Sequence, residues 1–91
     1  MDKLEKKKMM DKMIRELDDI TNSQTSLLKK ITQLEAENIN LGNSLLEKRL
    51  PDIHEKVDAA LTEVTTLQTD FAEVRDKFIK DNKLDEVLPG S

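Results

Sequence analysis

The chain contains no cysteine, tryptophan or tyrosine, and it has only two glycines, two prolines and two phenylalanines. Without cysteine it can form neither a disulfide framework nor a thiolate metal site. Aromatic residues make up only 2 % of the sequence, so little bulky apolar material is available to fill a globular core. No apolar run approaches the length of a membrane span, and the first residues lack the apolar stretch of a signal peptide. We therefore expect an intracellular, cytoplasmic protein that does not insert into a membrane.

Charged residues are abundant: 37 % of the 91 residues, with 15 basic and 19 acidic side chains. This composition is typical of long helices that expose most of their surface. No stretch alternates apolar and polar residues as a half-buried strand does. A chain of this length forms at most one small domain and is marginally stable when it folds alone. We therefore predict an all-α fold.

Apolar residues recur at alternating steps of three and four in two runs that differ in phase. In heptad notation the first run has a positions from Met10 and d positions from Met13, and the second has a positions from Leu50 and d positions from Ile53. Such spacing places an apolar stripe along each helix, and that stripe must pack against another helix. The residues predicted to form the interface are Met10, Met13, Leu17, Ile20, Leu27, Leu28, Ile31, Leu34, Asn38, Leu41, Leu45, Ile53, Val57, Val64, Leu67, Phe71, Val74 and Phe78.

The phase changes by two residues next to Pro51. Inside a helix a proline removes a hydrogen bond, whereas at the first position of a new helix it is well placed. We therefore predict two helices broken near Pro51, as a helical hairpin or as a kinked coiled coil. The predicted segments are a basic, Met-rich helix extension over 1–16, helices over 17–49 and 50–82, and a flexible C-terminal tail over 83–91.

A second candidate break is Gly42-Asn43, where Ser44 and Glu47 have the spacing of a capping box. The break near Pro51 is the favoured one because the first heptad pattern continues across Gly42. A chain that folds back near Pro51 would place Leu45 opposite Ile53 and Ile20 opposite Phe78, and residues 1–16 would protrude.

Two helices would not cover the whole apolar stripe, because Ile14, Leu28 and Leu61 widen it at e positions. We therefore predict bundles of at least three or four helices. The polar a residues Gln24 and Asn38 either fix the alignment of these helices or are tolerated edge positions. The pattern leaves both parallel and antiparallel arrangements open.

No arrangement of residues typical of catalysis is present. The single histidine, His54, has no cysteine or second histidine to complete a metal site, and we expect it on a solvated helix face. Neither glycine belongs to a phosphate-binding loop. We therefore predict a protein that is not an enzyme and that has no cofactor, metal or small-molecule substrate.

Two terminal segments are candidates for docking a partner protein. At the N-terminus Lys6, Lys7, Lys8 and Met9 combine positive charge with an adaptable apolar side chain, and the rival interpretation is a solvated helix start. We do not expect nucleic acid as the main partner, because Asp2, Glu5 and Asp11 interrupt this basic segment and it contains no aromatic side chain to stack on bases. At the C-terminus Leu84, Val87 and Leu88 have helical spacing, and the rival is a frayed tail.

The leading functional hypothesis is a non-enzymatic coiled-coil scaffold subunit that self-associates or pairs with other coiled-coil proteins in a complex. One alternative is a viral or phage assembly protein that acts in scaffolding or oligomerisation. Another is a small nucleic-acid-associated regulator that uses the basic N-terminus.

Overall fold

The computed structural model describes residues 1–84, which form two long helices, α1 (Lys3–Leu41) and α2 (Ser44–Asp81). The helices pack against each other along their length as an antiparallel hairpin. The hairpin is a rod of 64 × 20 × 18 Å. The prediction of an all-α helical hairpin is confirmed.

Both ends of α1 carry capping residues. Asp2 is the N-cap, and its side chain accepts a hydrogen bond from the amide of Glu5 at 2.8 Å. Gly42 ends the helix in the left-handed conformation, with φ at 70°, and its amide donates to the carbonyl of Asn38 at 2.7 Å. Glycine adopts this conformation without the steric cost of a Cβ atom.

The turn between the helices is held by two asparagines. Asn43 is the N-cap of α2, where its side chain accepts from the amide of Leu46 at 3.1 Å. The side chain of Asn38 donates through Nδ2 to the carbonyl of Asn43 at 3.1 Å and accepts from the amide of Asn43 at 3.0 Å. Asn38 is only 7 % exposed, so these bonds satisfy a buried amide.

The prediction that the helices break near Pro51 is wrong. The chain reverses at Gly42 and Asn43, the second candidate, and Pro51 lies exposed inside α2. The reason is the combination of the left-handed Gly42 with the cap at Asn43, which ends one helix and starts the next. The cap is Asn43 and not Ser44. Leu41 and Leu45 are 72 % and 62 % exposed, so neither belongs to the contact between the helices.

The register of the hairpin differs accordingly from the prediction. Glu35 lies opposite His54, whereas a break near Pro51 would place it opposite Glu63. Residues 1–16 are not an overhang throughout, because Asp11 bonds to Arg75 of α2 and Met10 and Ile14 are half-buried. The helices therefore begin and end at other residues than the predicted spans 17–49 and 50–82.

The contact between the helices is formed by a and e positions and not by a and d. Buried and half-buried residues recur at alternating steps of four and three along both helices. On α1 they are Met10, Ile14, Leu17, Thr21, Gln24, Leu28, Ile31, Glu35 and Asn38. On α2 they are Leu50, His54, Val57, Leu61, Val64, Gln68, Phe71, Arg75 and Phe78, and Asn82 continues the series just after the helix ends.

Candidate helix-binding face

The d positions of both helices lie outside the hairpin contact. We call the surface that they form the apolar face. Its large side chains are between 44 % and 54 % exposed, although they are among the most apolar residues of the chain. They are Met13, Ile20, Leu27 and Leu34 on α1 and Ile53, Leu67 and Val74 on α2, with the half-buried Ala60 completing the second stripe.

The two stripes lie on the same side of the hairpin. A groove of about 270 Å³ runs between them and is lined by Met13 and Ile20 from α1 and Leu67 from α2. Leu17 and Phe71 form its floor from the a positions, and Glu16 stands at its edge. The two stripes therefore meet across this groove, and the apolar face spans both helices.

The opposite side of the hairpin is polar. Its b and f positions carry threonines whose hydroxyls donate to the carbonyl four residues earlier, as Thr25 does to Thr21 at 2.9 Å and Thr69 does to Thr65 at 3.1 Å. Asp18 lies on this side and accepts a hydrogen bond from Gln68 at 3.4 Å. The hairpin is thus amphipathic in cross-section. The exception on the polar side is Ile39 near the turn, which is 82 % exposed.

The contact between the helices is itself partly polar. Thr21 donates to Gln68 at 3.2 Å, and His54 Nδ1 lies 2.6 Å from Glu35 Oε1. Among the residues that the structure describes, only Ile31, Asn38 and Leu50 are buried. The hairpin therefore has a thin core of its own and leaves much of its apolar surface exposed.

Asp11 links the two helices near their free ends. It accepts from Lys7 at 3.0 Å and from Arg75 at 3.2 Å. Burial on its own would raise the pKa of the Asp11 carboxyl, but the hydrogen bonds and positive charges of Lys7 and Arg75 outweigh this effect. The pKa of Asp11 consequently lies below its ordinary value of 3.8.

The predicted interface residues divide into two sets. One set faces the other helix of the same hairpin: Met10, Leu17, Leu28, Ile31, Asn38, Val57, Val64, Phe71 and Phe78. The other set is exposed: Met13, Ile20, Leu27, Leu34, Leu41, Leu45, Ile53, Leu67 and Val74. Of the exposed set, Leu41 and Leu45 lie at the turn, and the others form the apolar face.

The predicted docking residues do not form one surface. Lys6, Lys8 and Met9 are exposed, whereas Lys7 is half-buried in its ion pair with Asp11. Leu84 is half-buried at the end of the described chain. Val87 and Leu88 lie outside the described residues.

Sequence reasoning missed the polar residues of the hairpin contact, such as Glu35 and Gln68. It placed His54 on a solvated face, whereas His54 is half-buried and bonded to Glu35. The signal was present in the apolar e residues Ile14 and Leu28, which mark the e position as part of a contact surface. Counting polar residues at that position as inward-facing would have found the remaining contacts.

No known protein family, curated protein or solved structure matches this chain. Across residues 1–84, no group of acidic and histidine side chains is arranged to hold a metal ion. Neither α1 nor α2 has the length and apolar composition needed to cross a bilayer.

Proposed function

We propose that this chain is a non-enzymatic assembly subunit whose apolar face packs against helices of another molecule to complete a multi-helix bundle. The observation that carries the proposal is the exposure of one apolar face that spans both helices. Isolated exposed apolar residues are common, but a continuous patch surrounded by polar residues marks an interaction surface.

The free energy gained by burying this face is comparable in size to the free-energy cost of association. Burying one large apolar side chain completely contributes about 1.5–3 kcal/mol, so seven half-exposed side chains contribute roughly 5–10 kcal/mol per hairpin. Association costs about 4–15 kcal/mol in lost translational and rotational freedom. Two such faces in contact can therefore offset the cost, whereas the hairpin's thin core offers little stability in isolation.

The test compares two identical substitutions on α1. Ile20→Ser removes apolar surface from the apolar face, and Ile39→Ser removes it from the polar side near the turn. Because both replace an exposed isoleucine in the same helix, they change helix propensity and overall hydrophobicity equally. We expect Ile20→Ser to weaken assembly by at least about tenfold and Ile39→Ser to leave it unchanged.

The measurement is molecular mass by light scattering over a range of protein concentrations, with helix content followed by circular dichroism. A fully helical, stably folded monomer at every concentration would contradict the proposal, because such a molecule needs no partner. Equal loss of assembly in both variants would show that the apolar face has no particular role.

A further inference from the structure

We propose that the partner of the apolar face is a second copy of the same hairpin, turned end over end, so that the two copies form an antiparallel four-helix bundle with their turns at opposite ends. This inference rests on the proposed function and specifies its partner. It is carried by the position of the two apolar stripes along the rod and by the charges at their outer edges.

The apolar stripes of the two helices have midpoints at nearly the same height along the rod. On α1 the stripe is centred between Ile20 and Leu27, and on α2 it is centred between Ala60 and Leu67. The contacts of Thr21 with Gln68 and of Glu35 with His54 set the register of the helices and place the two midpoints about two residues, or about 3 Å, apart in height. We rotate a second hairpin by 180° about an axis that lies in the apolar face, perpendicular to the rod at this height. Each stripe then packs against the same stripe of the other copy, with Ile20 against Leu27 of the second hairpin.

The outer edge of each stripe is formed by g positions, and their charges reverse across the midpoint. On α1 the exposed Glu16 and Lys30 stand two helical turns to either side of Ser23. On α2 the exposed Lys56 and Asp70 stand two turns to either side of the midpoint in the same way. In antiparallel helix pairs the g positions of the two helices are neighbours. The end-over-end rotation thus brings Glu16 next to Lys30 of the second copy.

The same rotation places Lys56 next to Asp70 of the second copy. Four attractive pairs therefore flank the dimer, two along the α1 pair and two along the α2 pair. Glu63 lies near the axis and meets its own copy, and Arg49 approaches Lys77 at the ends, so three repulsive pairs oppose them. The four attractive pairs outnumber the three repulsive ones, so the charges at the outer edges favour association.

The other way to join two apolar faces is a rotation about the long axis of the rod, which keeps both turns at one end. In that arrangement α1 lies over α2 of the second copy at the same height. The contacts of Thr21 with Gln68 and of Asp11 with Arg75 show that Glu16 stands between Asp70 and Glu73 in height, within about 4.5 Å of Asp70.

The Thr21–Gln68 and Glu35–His54 contacts place Lys30 opposite Ala59, three residues or about 4.5 Å along the helix from Lys56. Rotation about the long axis would therefore bring Glu16 near Asp70 and Lys30 near Lys56 of the second copy. These four repulsive pairs outnumber the two attractive pairs of Glu37 with Arg49. Like charges at neighbouring positions are destabilising. The charge pattern consequently selects the end-over-end arrangement over its rival.

A charge exchange on α1 tests the pairing. Glu16→Lys converts two attractive pairs of the dimer into repulsive ones, and at low salt we expect the dimer dissociation constant to rise roughly tenfold. Adding Lys30→Glu to the same chain restores attraction in the end-over-end dimer, so the double variant is expected to regain the original constant. The two positions are about 21 Å apart within one helix, so the exchange is neutral within a monomer.

A pair of matched cysteine substitutions tests the geometry, since the native chain has no cysteine. Ser23→Cys places a thiol near the two-fold axis, and a short bismaleimide is expected to cross-link two copies. Ser44→Cys places the thiol at the turn, where two copies stand more than about 50 Å apart, and no cross-link is expected.

The outcomes separate this inference from the proposed function. Assembly without rescue by the double charge variant, or with a cross-link through Ser44→Cys, would overturn the end-over-end dimer and leave the assembly role intact. A chain that stays a folded monomer at every concentration would overturn both. Rescue together with a cross-link through Ser23→Cys alone would support both.

Discussion

Asn38 illustrates how one side chain can fix the position of a turn. It is buried at the end of α1 and exchanges two hydrogen bonds with the backbone of Asn43. These bonds hold the backbone of the turn in place as the chain leaves α1 and enters α2. The sequence left open whether this polar a residue fixes the alignment of helices or is a tolerated edge position; it instead acts within the turn of its own chain.

We expect Asn38→Ala to lower the free energy of unfolding by about 1–3 kcal/mol, because it removes both bonds and leaves the amide of Asn43 without that partner. Chemical denaturation followed by circular dichroism measures the change. Asn40→Ala, at an exposed position of the same helix, is the control and is expected to change stability by less than about 0.5 kcal/mol. Equal effects in the two variants would contradict a special role for Asn38.

Asp11 gives the hairpin a pH-dependent contact. Because its pKa is lowered in the folded chain, the contact contributes stability above the unfolded pKa and loses it as the pH falls through the folded pKa. We expect Asp11→Asn to cost about 0.2–1 kcal/mol near pH 7 and progressively less below about pH 4. Urea unfolding of both proteins from pH 7 to pH 2 measures the difference, and a constant gap across that range would contradict the assignment.

At the scale of single elements, Pro51 shows that a helix can contain a strong breaker without ending there. The proline lies exposed in the third turn of α2, and the hydrogen bond that it cannot donate would have gone to Glu47. A helix ends where a better alternative for its backbone is available, and here Gly42 and Asn43 provide it.

We expect Pro51→Ala to raise the free energy of unfolding by about 1–3 kcal/mol, since alanine restores the missing hydrogen bond and is the best helix former. If the chain instead reversed at Pro51, replacing this residue would lower stability or extend a single helix across the joint. Thermal unfolding and small-angle X-ray scattering distinguish these results, because loss of the hairpin would nearly double the length of the rod.

Element type was predictable from the sequence, whereas the pairing of elements was not. The spacing of Ile31 and Leu34 demands a helix, because no strand places such residues on one face. The position of the turn depended on a competition between Pro51 and Gly42-Asn43. The deciding bonds come from Asn38, whose side chain reaches the turn only once the turn has formed, so its contribution does not appear in local propensity.

The residues of the candidate site were predictable from the sequence, but the sequence did not show which of them face the other helix and which are exposed. The apolar stripe of a and d residues is visible in the sequence. The heptad pattern does not show whether the a residues face the other helix together with the d positions or together with the e positions. The choice of a with e depends on partners far along the chain, such as Thr21 with Gln68 and Glu35 with His54. Leu27 and Leu34 therefore appeared as core residues of the hairpin and lie on its surface.

At the scale of the whole molecule, the thin core predicts stability that depends on concentration. If assembly covers the apolar face, binding stabilises the folded state by mass action. We expect the midpoint of thermal unfolding to rise by several degrees when the protein concentration is raised a hundredfold. Calorimetry at two concentrations measures this shift, and a midpoint that does not move would indicate a self-sufficient hairpin.

The turn also sets an order of events in folding. The Asn38–Asn43 bonds join residues five apart, whereas Thr21 and Gln68 are 47 apart and Asp11 and Arg75 are 64 apart. Closing a longer loop loses more chain entropy. The contacts between the helices are therefore expected to form first near the turn and then progressively toward the free ends. Amide hydrogen exchange should accordingly be slowest near Asn38 and quicken toward Asp11, which makes the open end the first place where a protease or a competing helix could enter.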